Sequence, residues 1–144
     1  MDAGTSVVAA LAGLVLALVL AVLGWLTGFD RERSYYPMLT MVIASYYPLF
    51  ALLAEQNPAL ELLCAGVFMV LALSPVFLGQ AWALVGWALV AHGLFDLWLP
   101  GQWGHSSRPI WWAPFCAGVD LPLGLWVVWL YSRHQRPALS HDLS

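Results

Sequence analysis

Long apolar runs separated by short polar turns constrain this chain more than any other feature of its sequence. The first run extends from Val7 to Thr27 without a single charged residue. A helix of about 20 residues, rising about 1.5 Å per residue, crosses the hydrocarbon core of a bilayer. Over the whole sequence 62% of the residues are hydrophobic and 9% are charged, whereas soluble domains carry about 25% charged residues. The sequence therefore predicts an integral membrane protein.

Five such runs predict an all-α fold, a small polytopic bundle of five transmembrane helices in a single domain over residues 1–131. The predicted spans are 7–27, 36–54, 60–78, 81–99 and 110–131. The third and fourth spans are separated only by a very tight turn at Gly79-Gln80, so four spans plus an interfacial segment is the alternative. The polar residues 132–144 are expected to form a short, disordered cytoplasmic tail.

The arginines indicate an orientation for this multi-pass topology. Four of the five lie on one side of a five-span bundle, at positions 31, 33, 133 and 136, and Arg108 alone lies on the other. The positive-inside rule then predicts an outside N-terminus and a cytoplasmic C-terminus. The lack of lysine and the bias towards Ala, Leu, Trp and Arg are consistent with a bacterial inner-membrane protein. Because the few basic residues lie in short loops, we do not expect nucleic acid to be a partner.

Small residues recur at every fourth position of the first span, at Ala9, Gly13, Ala17 and Ala21. Such a face lets another helix approach closely in lipid, where association depends on tight packing. We interpret the face chiefly as a packing surface within the bundle. The same face is the candidate contact for a homo-oligomer or a larger membrane complex.

The second span carries Tyr46, Tyr47 and Pro48 near its middle. Pro48 cannot donate a hydrogen bond to the carbonyl of Ala44, which predicts a kink. The tyrosine hydroxyls then need partners inside the bundle. The structural interpretation is a kink with bonded tyrosines, and the functional one is a wall of a polar cavity.

Ionisable residues concentrate where the fourth and fifth spans meet. His92 and Asp96 share one helix face by their i, i+4 spacing, and Cys116 and Asp120 share another. Two neighbouring antiparallel helices would bring all four to overlapping depths. A charged side chain inside a bilayer costs about 2.5–3.5 kcal/mol. We therefore expect Asp120, near mid-membrane, to pair inside the bundle with His92 or with a tyrosine of the second span.

Glu55, His105 and Arg108 are predicted at the outer rim of this candidate intramembrane site. In straight helices Arg108 could reach Asp96 but would lie too shallow for Asp120. Both Glu55 and Arg108 fall in predicted turns, and His105 lies in the loop between the last two spans.

Three interpretations of the polar cluster remain open. The first is a structural Asp–His bridge that fixes helix register. The second is a metal or haem site, for which His92, Asp96 and His105 are candidate ligands, although no spacing matches a defined ligand motif and no cofactor can be named. The third is a proton or small-solute pathway, since buried carboxylates and histidines mark such relays. No GxSxG or HExxH motif supports an enzyme. The leading prediction is a binding or accessory membrane subunit with an outward-opening polar site.

Overall fold

The described part of the chain is all-helical, as predicted. The structure is a computed structural model that describes residues 3–55, 57–78, 82–98 and 108–134. Within these ranges the helices are α1 (Ala3–Thr27), α2 (Tyr35–Leu53), α3 (Ala59–Leu78), α4 (Ala83–Trp98) and α5 (Trp112–His134), with one 3-10 turn over Phe29–Arg31.

Four of these helices are long and apolar enough to cross a membrane: α1, α2, α3 and α5. Within the described residues α4 has 16 residues and is shorter. Exposed apolar side chains cover the outer faces, for example Val8 at 68% and Phe77 at 82% exposure. A surface of this kind suits lipid, because soluble monomers rarely expose large continuous apolar areas.

The helices begin and end within a few residues of the predicted spans, and the largest difference at a C-terminus is in α5. This helix continues through His134, so its last turn includes the first residues of the predicted tail. Packing explains the extension, because the ring of Tyr131 lies edge-on to Tyr36 and the guanidinium of Arg133 lies over Trp129. The rest of the predicted tail and the predicted Gly79-Gln80 turn lie outside the described residues.

Helix α5 packs most extensively against α4 and α1. These contacts bring backbones together. A Cβ on Gly86 of α4 would lie 2.6 Å from the carbonyl oxygen of Gly124, and a Cβ on Gly13 of α1 would overlap the carbonyl oxygen of Phe115. Lipid-embedded helices use small residues in this way.

The small-residue face of α1 is the surface that contacts α5. Ala9, Gly13 and Ala17 are buried there, and Ala21 is half-buried. A second copy of the chain at this face would have to displace α5. Self-assembly through this face stays a prediction.

Residue contacts give the helix directions. Gly86 faces Gly124 whereas Gly93 faces Asp120, so α4 and α5 are antiparallel. Gly13 lies near Phe115 and Val119, and Ala21 lies in one groove with Trp126, so α1 and α5 are parallel. The C-terminal half of α4 therefore meets the N-terminal half of α5.

The other half of the bundle is filled by apolar side chains. Val85 and Leu89 of α4 pack against Leu123 and Val127 of α5, with the Tyr36 ring from α2 completing this core. All five side chains are almost fully buried. The arginine-bearing ends of α1 and α5 lie beyond this core, and Arg108 lies at the opposite end.

Candidate functional site

Three ionisable side chains meet inside the bundle between α4 and α5. His92, Asp96 and Asp120 are 2%, 0% and 0% exposed. The Nδ1 atom of His92 lies 2.8 Å from Oδ2 of Asp120, a hydrogen-bond distance, and 3.7 Å from Oδ2 of Asp96. The structure thus brings Asp120 together with His92, one of the partners nominated from the sequence.

Gly93 makes the close approach of the two helices possible. A Cβ at this position would lie 3.1 Å from the Cβ of Asp120, so a larger residue would push α5 away from His92. The sequence analysis did not single out Gly93. The sequence spacing could have identified it, because Gly86 lies seven residues earlier and both glycines are therefore on one side of α4.

Tyr47 joins the site from α2 by donating its hydroxyl hydrogen bond to Oδ1 of Asp96. Its ring lies edge-on to the imidazole of His92, with centroids 5.8 Å apart. Tyr47 thus connects a third helix to both titratable residues of α4. Within the described residues the site is therefore made by α2, α4 and α5, with one ring from α3 described below.

Tyr46, which was predicted beside Tyr47, is not brought to the carboxylates. Its ring packs against Phe50 and lies 5.0 Å from the ring of Trp112. Adjacent residues of an α-helix point about 100° apart because the helix has about 3.6 residues per turn. Only one of the two tyrosines could therefore face the cluster.

Arg108, predicted at the outer rim of the site, is a buried side chain. It is 8% exposed, its guanidinium lies 4.9 Å from the ring centroid of Tyr47, and its charge acts on Asp96. An aromatic face and a nearby carboxylate offset part of the cost of burying a guanidinium. A direct contact of Arg108 with Asp96 stays a prediction.

The remaining predicted site residues differ in position. Cys116 is buried at 4% exposure. The charges of Asp96 and Asp120 act on its thiol. Glu55 is exposed at the end of α2, where its φ of 54° is left-handed. His105 lies outside the described residues.

Phe68 of α3 is a contact that the sequence analysis did not identify. Its ring lies edge-on to the imidazole of His92, with centroids 4.7 Å apart and an interplanar angle of 80°. One phenylalanine among the apolar residues of α3 gives no sequence signal for this role. The ring restricts the rotation of the imidazole.

Two buried carboxylate oxygens of the cluster have no hydrogen-bond partner, Oδ2 of Asp96 and Oδ1 of Asp120. One donor atom from each of His92, Asp96 and Asp120 lies within 4.8 Å of the others. Imidazole and carboxylate are the donors that zinc and related divalent ions use. This cluster contains two of the ligands predicted from the sequence, His92 and Asp96, together with Asp120. The third predicted ligand, His105, lies outside the described residues.

No protein-family model, curated protein or solved structure matches this chain.

Proposed function

We propose that this chain is a membrane protein that binds one divalent transition-metal ion inside its helix bundle, with His92, Asp96 and Asp120 as ligands. The observation that carries the proposal is the convergence of these three donors within 4.8 Å. The two unpartnered, fully buried carboxylate oxygens support it. A buried polar atom without a partner is costly, and a metal ion in the cluster would bind Oδ2 of Asp96 directly.

The charges of the cluster favour a divalent ion. Two ionised carboxylates of α4 and α5 would be costly in a low-dielectric bundle unless they are neutralised. Arg108 offsets part of the charge of Asp96, and His92 can pair directly with only one carboxylate at 2.8 Å. A divalent ion would neutralise two negative charges and bind a neutral imidazole.

Small shifts would convert the present geometry into a coordination site. Zinc bonds of about 2.0–2.1 Å place neighbouring ligand atoms of a tetrahedron about 3.3 Å apart. The distances from Nδ1 of His92 to the two carboxylates, 2.8 Å and 3.7 Å, bracket that value. Three protein ligands leave a fourth position for water or for the thiol of Cys116.

The apolar core argues against a polar path through the bundle. Leu89, Leu123 and Val127 fill the space between the cluster and the arginine-bearing end. This packing supports a binding protein rather than a solute pathway.

The test is zinc binding by the full-length protein in detergent. Wild type is expected to bind one zinc ion per chain, measured by calorimetry and by elemental analysis after removal of free metal. Second-shell substitutions at metal sites cost about 10–100-fold in affinity, so loss of a direct ligand in Asp120→Asn or His92→Gln is expected to cost at least 100-fold. A saturated site should also raise the unfolding temperature of wild type.

Asp30→Asn is the matched control. Asp30 is also buried, at 8% exposure, but it lies in the 3-10 turn between α1 and α2. This variant is expected to bind zinc as wild type does. A wild-type protein that binds no zinc and gains no thermal stability from it would refute the proposal, and equal losses in the Asp30 and Asp120 variants would also contradict it.

We further infer a five-span topology in a bacterial inner membrane, with the N-terminus outside. The support is the alternation of helix direction together with the positions of the arginines. Because α1 and α5 are parallel, Arg31, Arg33 and Arg133 lie at one end, which the positive-inside rule assigns to the cytoplasm. Helix α4 is antiparallel to α5 and would then cross the membrane as the fourth span.

A further inference from the structure

A half-open apolar groove of about 370 Å³ lies between α1 and α5, away from the metal-binding cluster. The α1 side is formed by Ala17, Leu18 and Ala21, and the α5 side includes Pro122, Trp126 and Trp129. Almost all the lining atoms are apolar. The small alanine side chains leave space that no other described side chain fills.

A cation lies at one end of this groove. The rings of Trp126 and Trp129 are stacked with centroids 5.0 Å apart. One turn further along α5, the guanidinium of Arg133 lies 4.1 Å from the ring centroid of Trp129. The groove therefore leads from an apolar floor at Ala17 to a positive charge held against an indole ring.

This arrangement matches the two parts of an anionic lipid. Tryptophans are enriched at the level of the lipid headgroups, and basic pockets between helices on the cytoplasmic side bind anionic headgroups. Arg133 is exposed, so its guanidinium can contact a phosphate while it remains over the indole ring. The apolar part below it has the chemistry of an acyl-chain site.

We propose that this groove binds a single anionic phospholipid, with one acyl chain between α1 and α5 and the headgroup phosphate at Arg133. The proposal rests on the membrane placement of the bundle and not on metal binding. Zinc binding and lipid binding involve different residues, so one can fail while the other holds.

The test compares brominated phosphatidylglycerol with brominated phosphatidylcholine as quenchers of tryptophan fluorescence in vesicles that contain the full-length protein. Wild type is expected to prefer phosphatidylglycerol. One arginine near an anionic headgroup contributes about a fivefold preference, which Arg133→Gln should remove. Arg31→Gln is the control, because Arg31 is exposed at the same end of the bundle, whereas Arg133 lies over Trp129 of the groove.

A second variant tests the acyl-chain part. Ala21→Phe should fill the groove and reduce quenching by both lipids, and its thermal unfolding shows whether the fold is retained. Equal effects of the Arg31 and Arg133 substitutions would overturn the proposal, because they would indicate general surface charge. A stable dimer that shields the groove from both brominated lipids would overturn it as well, since the occupant would then be a second copy.

Discussion

Tyr46 and Tyr47 are adjacent in α2, but their side chains have different surroundings. The sequence predicted partners inside the bundle for both hydroxyls, but the two side chains enter different environments. Tyr47 donates to Asp96 and lies against His92 and below Arg108, whereas Tyr46 joins the rings of Phe50 and Trp112. The hydroxyl of Tyr47 is therefore the one that satisfies a buried carboxylate.

Tyr47→Phe is expected to destabilise the protein by about 1–2 kcal/mol, because a hydrogen bond to a buried carboxylate is lost while the ring contacts remain. Tyr46→Phe, the matched control, is expected to change stability by less than about 0.5 kcal/mol. Reversible unfolding in detergent micelles measures both. Equal destabilisation by the two substitutions would show that the Asp96 contact has no special role.

At the scale of elements, glycine backbones set the distances on which the site depends. Gly86 lies against Gly124, and Gly93, about two helical turns further along α4, lies against Asp120. These contacts fix both the spacing and the register of α4 on α5. The 2.8 Å approach of His92 to Asp120 follows from that register.

Gly86→Ala is expected to destabilise the protein by about 1–3 kcal/mol, because the new Cβ would meet the Gly124 backbone at 2.6 Å and overpacking of this kind is costly. Gly66→Ala in α3 is the control, since a Cβ there meets nothing within 4 Å. That substitution should be neutral, or should stabilise the helix by about 0.5–1 kcal/mol through helix propensity. Thermal and chemical unfolding separate the two, and similar stabilities would contradict the packing account.

At the scale of the whole molecule, the bundle has one polar half and one apolar half. The cluster of His92, Asp96 and Asp120 lies towards the Arg108 end, and the apolar core lies towards the other arginines. In the proposed orientation the polar half faces outwards. The proposed orientation can be tested by labelling the two ends of the bundle from one side of the membrane.

Asn57→Cys and Ser132→Cys, each combined with Cys64→Ala, report the two sides. Both positions are exposed at helix ends. A membrane-impermeant maleimide added to intact cells is expected to label position 57 at once and position 132 only after the membrane is opened, because three spans separate them. Labelling of both from the same side would rule out the five-span orientation.

The sequence by itself determined the helices and the burial of the carboxylates. Apolar runs such as Val7–Thr27 are long enough to dictate a helix in lipid, and the cost of a charge in a bilayer requires Asp96 and Asp120 to face inwards. Helix periodicity also placed His92 and Asp96 on one face. These are local properties, so they can be derived from the order of residues.

Only the tertiary structure decided which groups meet. The choice of Tyr47 over Tyr46, the buried position of Arg108 and the contact of Phe68 with His92 depend on the rotation and register of one helix against another. Backbone contacts at Gly86 and Gly93 set that register. They involve residues far apart in the chain, and no periodicity within a single helix specifies them.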